Sequence, residues 1–514
     1  MFTCQNPERK PFLKIFSKQQ RSAWKISKNF RSLSKNIEID QMPILAHLLI
    51  TLHSFSSSEI MCDLFSRPAG QEILSCLAGC QKLVSVSLVN NEGSPDGFMN
   101  PLPSFRGLQR LELLRMALGD RGRDCEIAGI LELCPDIHDL SLSTVSWAME
   151  AETDLLPKLI QCYNRKTEQT LRLRSLRLGY GFLPVQSSPD YLSKLTDLLT
   201  METLRLDNDN VGVATVVVDS VIDVRLFASA SSVTSLTAER LSRDVVELID
   251  LLNTAGQLID LSIPRFCDTQ PRARMDENNE FWDPERYDEE VEDLPQWDPT
   301  QQFSQPLGEA GRHWRKLSIG DIFRTSKLPQ EVLDCVGTYE QIEELTLPLP
   351  KGMWLQFRDG ILPHLRSLQR LFLVGGDNAC GYGYEGHVPD YDDFVARTLQ
   401  EHNQLVQEHD AEFAIHTAHF ARDIFQANRE SIAQGDTRAL FKYLGLSGHV
   451  YTCGLLPTNA INGLAPFSIK KAGQRWDYHV IKLASDEAAA FNSIQEWYEG
   501  MTTLRVGGDD SPEW

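Results

Sequence analysis

A chain of 514 residues is long enough for several domains or one extended repeat array, and 42% hydrophobic with 24% charged residues supplies material for a large core. The net charge of −21, from 50 Lys+Arg against 71 Asp+Glu, argues against binding to nucleic-acid phosphates or to anionic membranes. Eleven cysteines without a Cys-x-x-Cys pair predict reduced, mostly buried thiols in an intracellular protein, cytoplasmic or nuclear, and the absence of any Asn-x-Ser/Thr sequon agrees.

The first 29 residues form a basic segment. Residues 1–35 carry nine Lys/Arg against the single acid Glu8, and Phe12, Ile15, Phe16 and Trp24 fall at helical spacing. A basic leading helix at the end of the repeats is the expected structure, with a targeting segment as the alternative.

Residues 30–375 read as an α/β solenoid of the leucine-rich-repeat kind. The pattern apolar-x-x-apolar-x-apolar recurs ten times: Leu83-Val86-Leu88, Leu108-Leu111-Leu113, Ile137-Leu140-Leu142, Leu173-Leu176-Leu178 and Met201-Leu204-Leu206, then Val233-Leu236-Ala238, Leu258-Leu261-Ile263, Trp314-Leu317-Ile319, Ile342-Leu345-Leu347 and Leu368-Leu371-Leu373. Nine intervals run 25, 29, 36, 28, 32, 25, 56, 28 and 26 residues; all but one fit a strand and a returning helix. A degenerate eleventh copy is expected at Phe30-Leu33. Helices are expected at Gln71–Cys80, Cys125–Cys134, Tyr191–Thr200, Arg243–Leu252 and Pro329–Val336. Buried parallel strands of a doubly wound sheet would read as continuous Val/Ile runs. Leu-Gln-Arg-Leu-Glu-Leu and Leu-Arg-Ser-Leu-Arg-Leu alternate instead, which predicts one polar, open sheet face.

The 56-residue interval holds an acidic insertion, 268–312. Residues 276–300 carry eleven acids against Arg286, with Phe281, Trp282, Tyr287 and Trp297 among them. A solvated loop is expected, or a docking segment for a basic partner. Residues 376–514 are expected to form a mainly helical cap: one long amphipathic helix or two shorter ones over Tyr391–Gln434, a hairpin over Phe467–Ile481 turning near Lys471–Gly473, and a final helix over Ser485–Glu499.

Chemistry-bearing motifs are few. Gly381-x-Gly383-x-x-Gly386 matches a dinucleotide fingerprint, yet neither a strand directly before it nor a helix start after it is expected, so it reads as a loop. His402, His409 and His416 fall within roughly 40° on a helix, with His419, Glu412 and Asp423 nearby. The apolar positions Val406, Phe413 and Phe420 share that arc, so packed histidines are expected rather than metal ligands. No catalytic residue, cofactor site or metal site is assigned.

The open face should be lined by the residues flanking each middle apolar position. Arg110, Arg177, Arg205, Lys316, Arg370 and Phe372 are the candidate partner-binding residues, and Arg177 with Arg205 are expected to grip a carboxylate or phosphate. The repeated Leu-Arg-Ser-Leu-Arg-Leu and Leu-Gln-Arg-Leu-Glu-Leu units resemble those of fungal F-box/leucine-rich-repeat-like proteins over about residues 30–375. That resemblance implies repeats that bind a substrate protein and an F-box that docks on a Skp/cullin ubiquitin ligase. No F-box is detected: residues 1–30 are too few and too basic, and Leu328-Pro-Gln-Glu-Val-Leu333 reads as a repeat helix. The sequence therefore predicts a non-enzymatic protein-interaction module, with an enzyme or metal site in 376–480 as the alternative.

Overall fold

The computed structural model describes the strand backbone at 54–57 and most of 74–89, 102–116, 123–144, 155–184, 191–207, 222–264, 311–320, 328–374, 399–446, 449–455 and 461–483. Two compact units divide the chain: residues 1–201 with 209–213, and residues 202–208 with 214–514.

In the first unit five parallel strands run in chain order: β1 (Ser54–Ser57), β2 (Ser85–Val89), β3 (Arg110–Met116), β4 (Asp139–Thr144) and β5 (Ser175–Leu178). Helix α1 (Arg123–Leu133) returns the chain from β3 to β4, and α2 (Leu155–Lys166) from β4 to β5. In the second unit seven parallel strands follow: β6 (Thr203–Leu206), β7 (Ser235–Ala238), β8 (Asp260–Ile263), β9 (Lys316–Ile319), β10 (Glu344–Pro348), β11 (Arg370–Val374) and β12 (Tyr443–Leu446). Its described helices are α3 (Arg243–Asn253), α4 (Gln330–Val336), α5 (Trp354–Gly360) and the 35-residue α6 (Leu399–Ala433). Three antiparallel strands complete the sheet: β13 (His449–Gly454), β14 (Phe467–Lys471) and β15 (Gln474–Lys482), in the order β12-β13-β15-β14.

The ten repeat copies coincide with β2 to β11, and the reason is visible in each. The first apolar residue is buried two positions before its strand, and the next two point inward from within it. Leu108, Leu111 and Leu113 are all at most 1% exposed, as are Leu173, Leu176 and Leu178. Burying each such side chain is worth about 1.5–3 kcal/mol, so three per copy make the strand the stable choice. The residue after the first apolar position turns its carbonyl to the next copy, where it accepts two consecutive backbone N–H groups. Val84 O accepts from Gln109 N (2.8 Å) and Arg110 N (3.0 Å), and Glu343 O from Gln369 N (2.8 Å) and Arg370 N (3.0 Å). A carbonyl has two lone pairs, and this repeating double bond uses both.

The helix expectations at Arg243–Leu252 and Pro329–Val336 match α3 and α4, and residues 330–333 of the Leu328–Leu333 motif belong to α4. Tyr191–Thr200 differs: it forms two 3-10 turns, Leu192–Lys194 and Leu198–Thr200. A parallel bridge pins Thr196 to Leu171 between them. Leu171 N donates to Leu195 O and Asp197 N to Leu171 O, both at 2.9 Å, so after the single α-type bond from Thr196 N to Leu192 O (3.1 Å) the Asp197 N–H is drawn to Leu171 and the helix does not continue.

Three strands fall outside the expected elements: β1, β12 and β13. β12 has the same spacing as the others, Phe441-Leu444-Leu446, all buried, and Lys442 N and Tyr443 N both donate to Gln369 O. β1 falls at 54–57, where Leu52-Phe55-Ser57 keeps the spacing but ends on serine. The expected copy at Phe30-Leu33 lies outside the described residues, as do the insertion at 276–300, the glycine motif at 381–386 and the helix expected at Ser485–Glu499.

The described part of 376–514 is one long helix and four strands, where a mainly helical cap with one hairpin was expected. Asn428 fixes α6 to the segment entering β12: its Nδ2 donates to Ala439 O (3.1 Å) and its Oδ1 accepts from Phe441 N (3.0 Å). Gly435, at φ +97°, ends the helix in the left-handed conformation that a side chain would strain. The hairpin of β14 and β15 turns through Gly473, where the sequence placed it.

Candidate functional site

The strands present alternate residues to solvent, and parallel register arranges these in rows. In the first unit one row reads Ser85, Arg110, Asp139, Ser175, and the next Ser87, Glu112, Ser141, Arg177. Arg110 Nη2 lies 2.9 Å from Glu112 Oε1. Burial would raise the Glu112 carboxyl, but hydrogen bonds from Arg110 and Ser87 and the charges of Arg110 and Arg177 outweigh it. The carboxyl is held below its ordinary range.

In the second unit one row reads Thr203, Ser235, Asp260, Lys316, Glu344, Arg370, Tyr443. Its charges alternate in sign from strand to strand. Lys316 Nζ lies 3.9 Å from both Asp260 Oδ2 and Glu344 Oε1. Arg370 Nη1 donates to Glu344 Oε1 at 2.9 Å, and its guanidinium carbon lies 5.9 Å from the Tyr443 ring centroid. One residue earlier on each strand a flanking row repeats the theme: Arg315 approaches Glu343 at 3.8 Å, and Lys442 Nζ donates to Gln369 Oε1 at 2.6 Å. Burial pushes the Asp260 carboxyl up; Lys316 and Arg315 oppose that, while Glu344 and Glu343 add to it.

Four of the candidate cations therefore have acidic neighbours. Arg110 pairs with Glu112, Arg205 with Asp207 (2.8 Å), Lys316 with two carboxylates and Arg370 with Glu344. Arg177 sits in the Glu112–Ser141 row and adds to the field on Glu112. Arg177 and Arg205 belong to different units.

Phe372 is a correction. It sits at a face position but is only 6% exposed. Gly445 is its register partner on β12, and a Cβ there would come within 2.1 Å of Phe372 Cδ1. The ring lies over the glycine, so the candidate aromatic contact is a closing element of the sheet, and Tyr443 takes its place on the face. Sequence reading missed Tyr443 because β12 itself was missed.

The histidine expectation also changes. His416 and His419 are exposed, and the buried side of α6 is Thr417, Ala418, Phe420, Ala421, Ile424 and Phe425. The side chains of His402, His409 and Glu412 lie outside the described residues. Among the described residues one group of His, Cys, Asp or Glu has ligand atoms within 4.8 Å of one another: Asp124, Cys125 and Cys162, outside 376–480. The expectation of reduced thiols fails there, because Cys125 and Cys162 are joined by a disulfide. Thirty-seven residues separate them in sequence, and packing of α1 on α2 brings them together. Cys80 and Cys134 are buried thiols as expected, and Cys335 and Cys453 are half-buried.

No helix among the described residues is long and apolar enough to cross a membrane. No family model matches the chain, and no curated protein matches it. Among solved structures, the chain is similar to the leucine-rich repeat-containing protein LegL7 from Legionella pneumophila, at 14% identity and a TM-score of 0.32, over 57% of this chain and 83% of that one.

Proposed function

We propose that the chain is a non-enzymatic protein-interaction module that binds a protein partner on the polar face of its parallel strands. The observation that carries this reading is the Asp260–Lys316–Glu344–Arg370 row, with Tyr443 at its end. Paired charges leave little net field, so the row does not select nucleic acid or phosphate. It offers instead a fixed sequence of donors and acceptors beside an aromatic ring, which suits a protein surface of complementary alternating charge. A substrate receptor of a Skp/cullin ubiquitin ligase is one form of this reading.

The test is affinity capture with the full chain and mass spectrometry, followed by the Lys316→Glu/Arg370→Glu variant. The expected result is loss of the captured partner by a variant that keeps its circular-dichroism spectrum. Unchanged capture would remove this face from the site, and clean capture without Skp/cullin components would sink the ligase form.

A further inference from the structure

The thiol pair behind the first unit's strands has no part in the proposed binding face. Cys125 stands in the first turn of α1 and Cys162 late in α2, on the returns of two consecutive repeats. Their Cα atoms are 5.3 Å apart, within the roughly 4.4–6.8 Å that a disulfide spans without backbone movement. The two sulfurs differ in access: Cys125 is exposed, whereas Cys162 is 8% exposed beneath it. A third group faces both. Asp124 Oδ2 lies 3.9 Å from Cys125 Sγ and 3.4 Å from Cys162 Sγ, placed to accept a thiol proton when the pair is reduced.

The helices need no covalent bond to pack. Ile127, Ala128, Ile130 and Leu131 of α1 and Leu156, Leu159 and Ile160 of α2 are buried, and Lys166 Nζ lies 3.5 Å from Glu132 Oε2. The dithiol form therefore keeps the fold, and the bond can open and close on it.

We propose that Cys125 and Cys162 form a thiol–disulfide exchange site, entered through Cys125, that links two consecutive repeats when oxidised and releases them when reduced. The co-reactant is a low-molecular-weight disulfide, RSSR, such as glutathione disulfide. The Cys125 thiolate attacks one sulfur of RSSR, giving Cys125–SR and releasing RS⁻. Cys162, deprotonated, attacks the Cys125 sulfur, forms the protein disulfide and displaces the second RS⁻. The two protein thiols lose two electrons and two protons, and RSSR becomes two RSH; reduction is the reverse. Asp124 disfavours a thiolate beside it and slows entry, so Asp124 is a positioning residue that sets the rate. The oxidised bond ties the β3–β4 and β4–β5 returns together, on either side of strand β4, which carries Asp139 and Ser141.

The test uses the full chain, reduced, desalted and equilibrated in glutathione redox buffers, with peptide mass spectrometry as readout. The expected product is one cross-linked peptide joining Cys125 to Cys162, reversed by excess reduced glutathione. In Cys162→Ser a glutathione adduct accumulates on Cys125. In Cys125→Ser, Cys162 stays unmodified while the native spectrum is retained. Asp124→Asn raises the oxidation rate several-fold at neutral pH. The proposal is overturned if Cys162 is modified equally well in Cys125→Ser, or if the pair stays reduced where glutathione itself is oxidised. It is also overturned if the reduced chain retains stoichiometric zinc that Cys162→Ser loses, which would make the triad a metal site.

Discussion

The two units share one strand pattern and differ in what stands behind and on top of it. In the first, α1 and α2 of 11 and 12 residues and the two 3-10 turns at Leu192–Lys194 and Leu198–Thr200 are among the described returns, and the face rows mix serines with the Arg110–Glu112 pair, Asp139 and Arg177. In the second, the described parts of the returns include the 3-10 turn Gly311–His313 and the 35-residue α6, and the face carries a continuous row of alternating charge. A strand of this kind needs only three buried apolar side chains and a carbonyl that accepts twice from the next copy. Whatever return segment supplies cover is acceptable, so the backing varies while the strands do not.

Trp314 occupies the first apolar position of its copy, fully buried, with Nε1 donating to Asn253 Oδ1 at 3.2 Å and its ring edge-on to Tyr339 at 5.9 Å. Trp314→Ala is expected to cost about 3–5 kcal/mol in chemical denaturation, near the upper end of what Leu173→Ala costs in the first unit, about 2–5 kcal/mol. A smaller loss at Trp314 than at Leu173 would break the contrast between the units.

Gly445→Ala comes next. Its Cβ meets the buried Phe372 ring, and the expected overpacking cost is about 1–3 kcal/mol. Adding Phe372→Ala should recover part of that loss, and strict additivity in the double-mutant cycle would remove Phe372 from its place over Gly445. Glu344→Gln probes the charge row that the first unit lacks. Its pairs with Lys316 and Arg370 are partly exposed, so a stability loss of only about 0.2–1 kcal/mol is expected, shrinking as salt is raised. A loss insensitive to salt would contradict an electrostatic row.

The smallest effects separate the units by sign. Glu112 has a folded pKa below its unfolded value, so its contribution is present above the unfolded pKa and is lost as pH falls through the folded one. Asp260 is raised, so its contribution is present below the unfolded pKa and is lost as pH rises through the folded one. Glu112→Gln should therefore flatten the acid limb of the stability–pH curve, and Asp260→Asn should relieve a cost near neutral pH. Parallel changes in the two variants would show that the faces are electrostatically equivalent.

What was legible in the sequence was local and periodic. Ten strands followed from apolar spacing alone, because burial of alternate residues depends on period and not on partners, and the hairpin turn followed from Gly473. The same spacing was present at Phe441-Leu444-Leu446 but escaped notice, because 73 residues separate it from the preceding copy and the interval no longer looks like a repeat. Register and packing were decided only by the tertiary structure. Which residue stands beside Lys316 depends on strand pairing across 56- and 28-residue intervals, and no local rule carries that. Phe372 looked like an exposed aromatic until a glycine on a later strand was seen to lie beneath it. Cys125 and Cys162 became a pair only when two helices of consecutive repeats were laid side by side. The polar face itself was foreseeable from alternation; that its charges are matched in a row is a property of the paired strands.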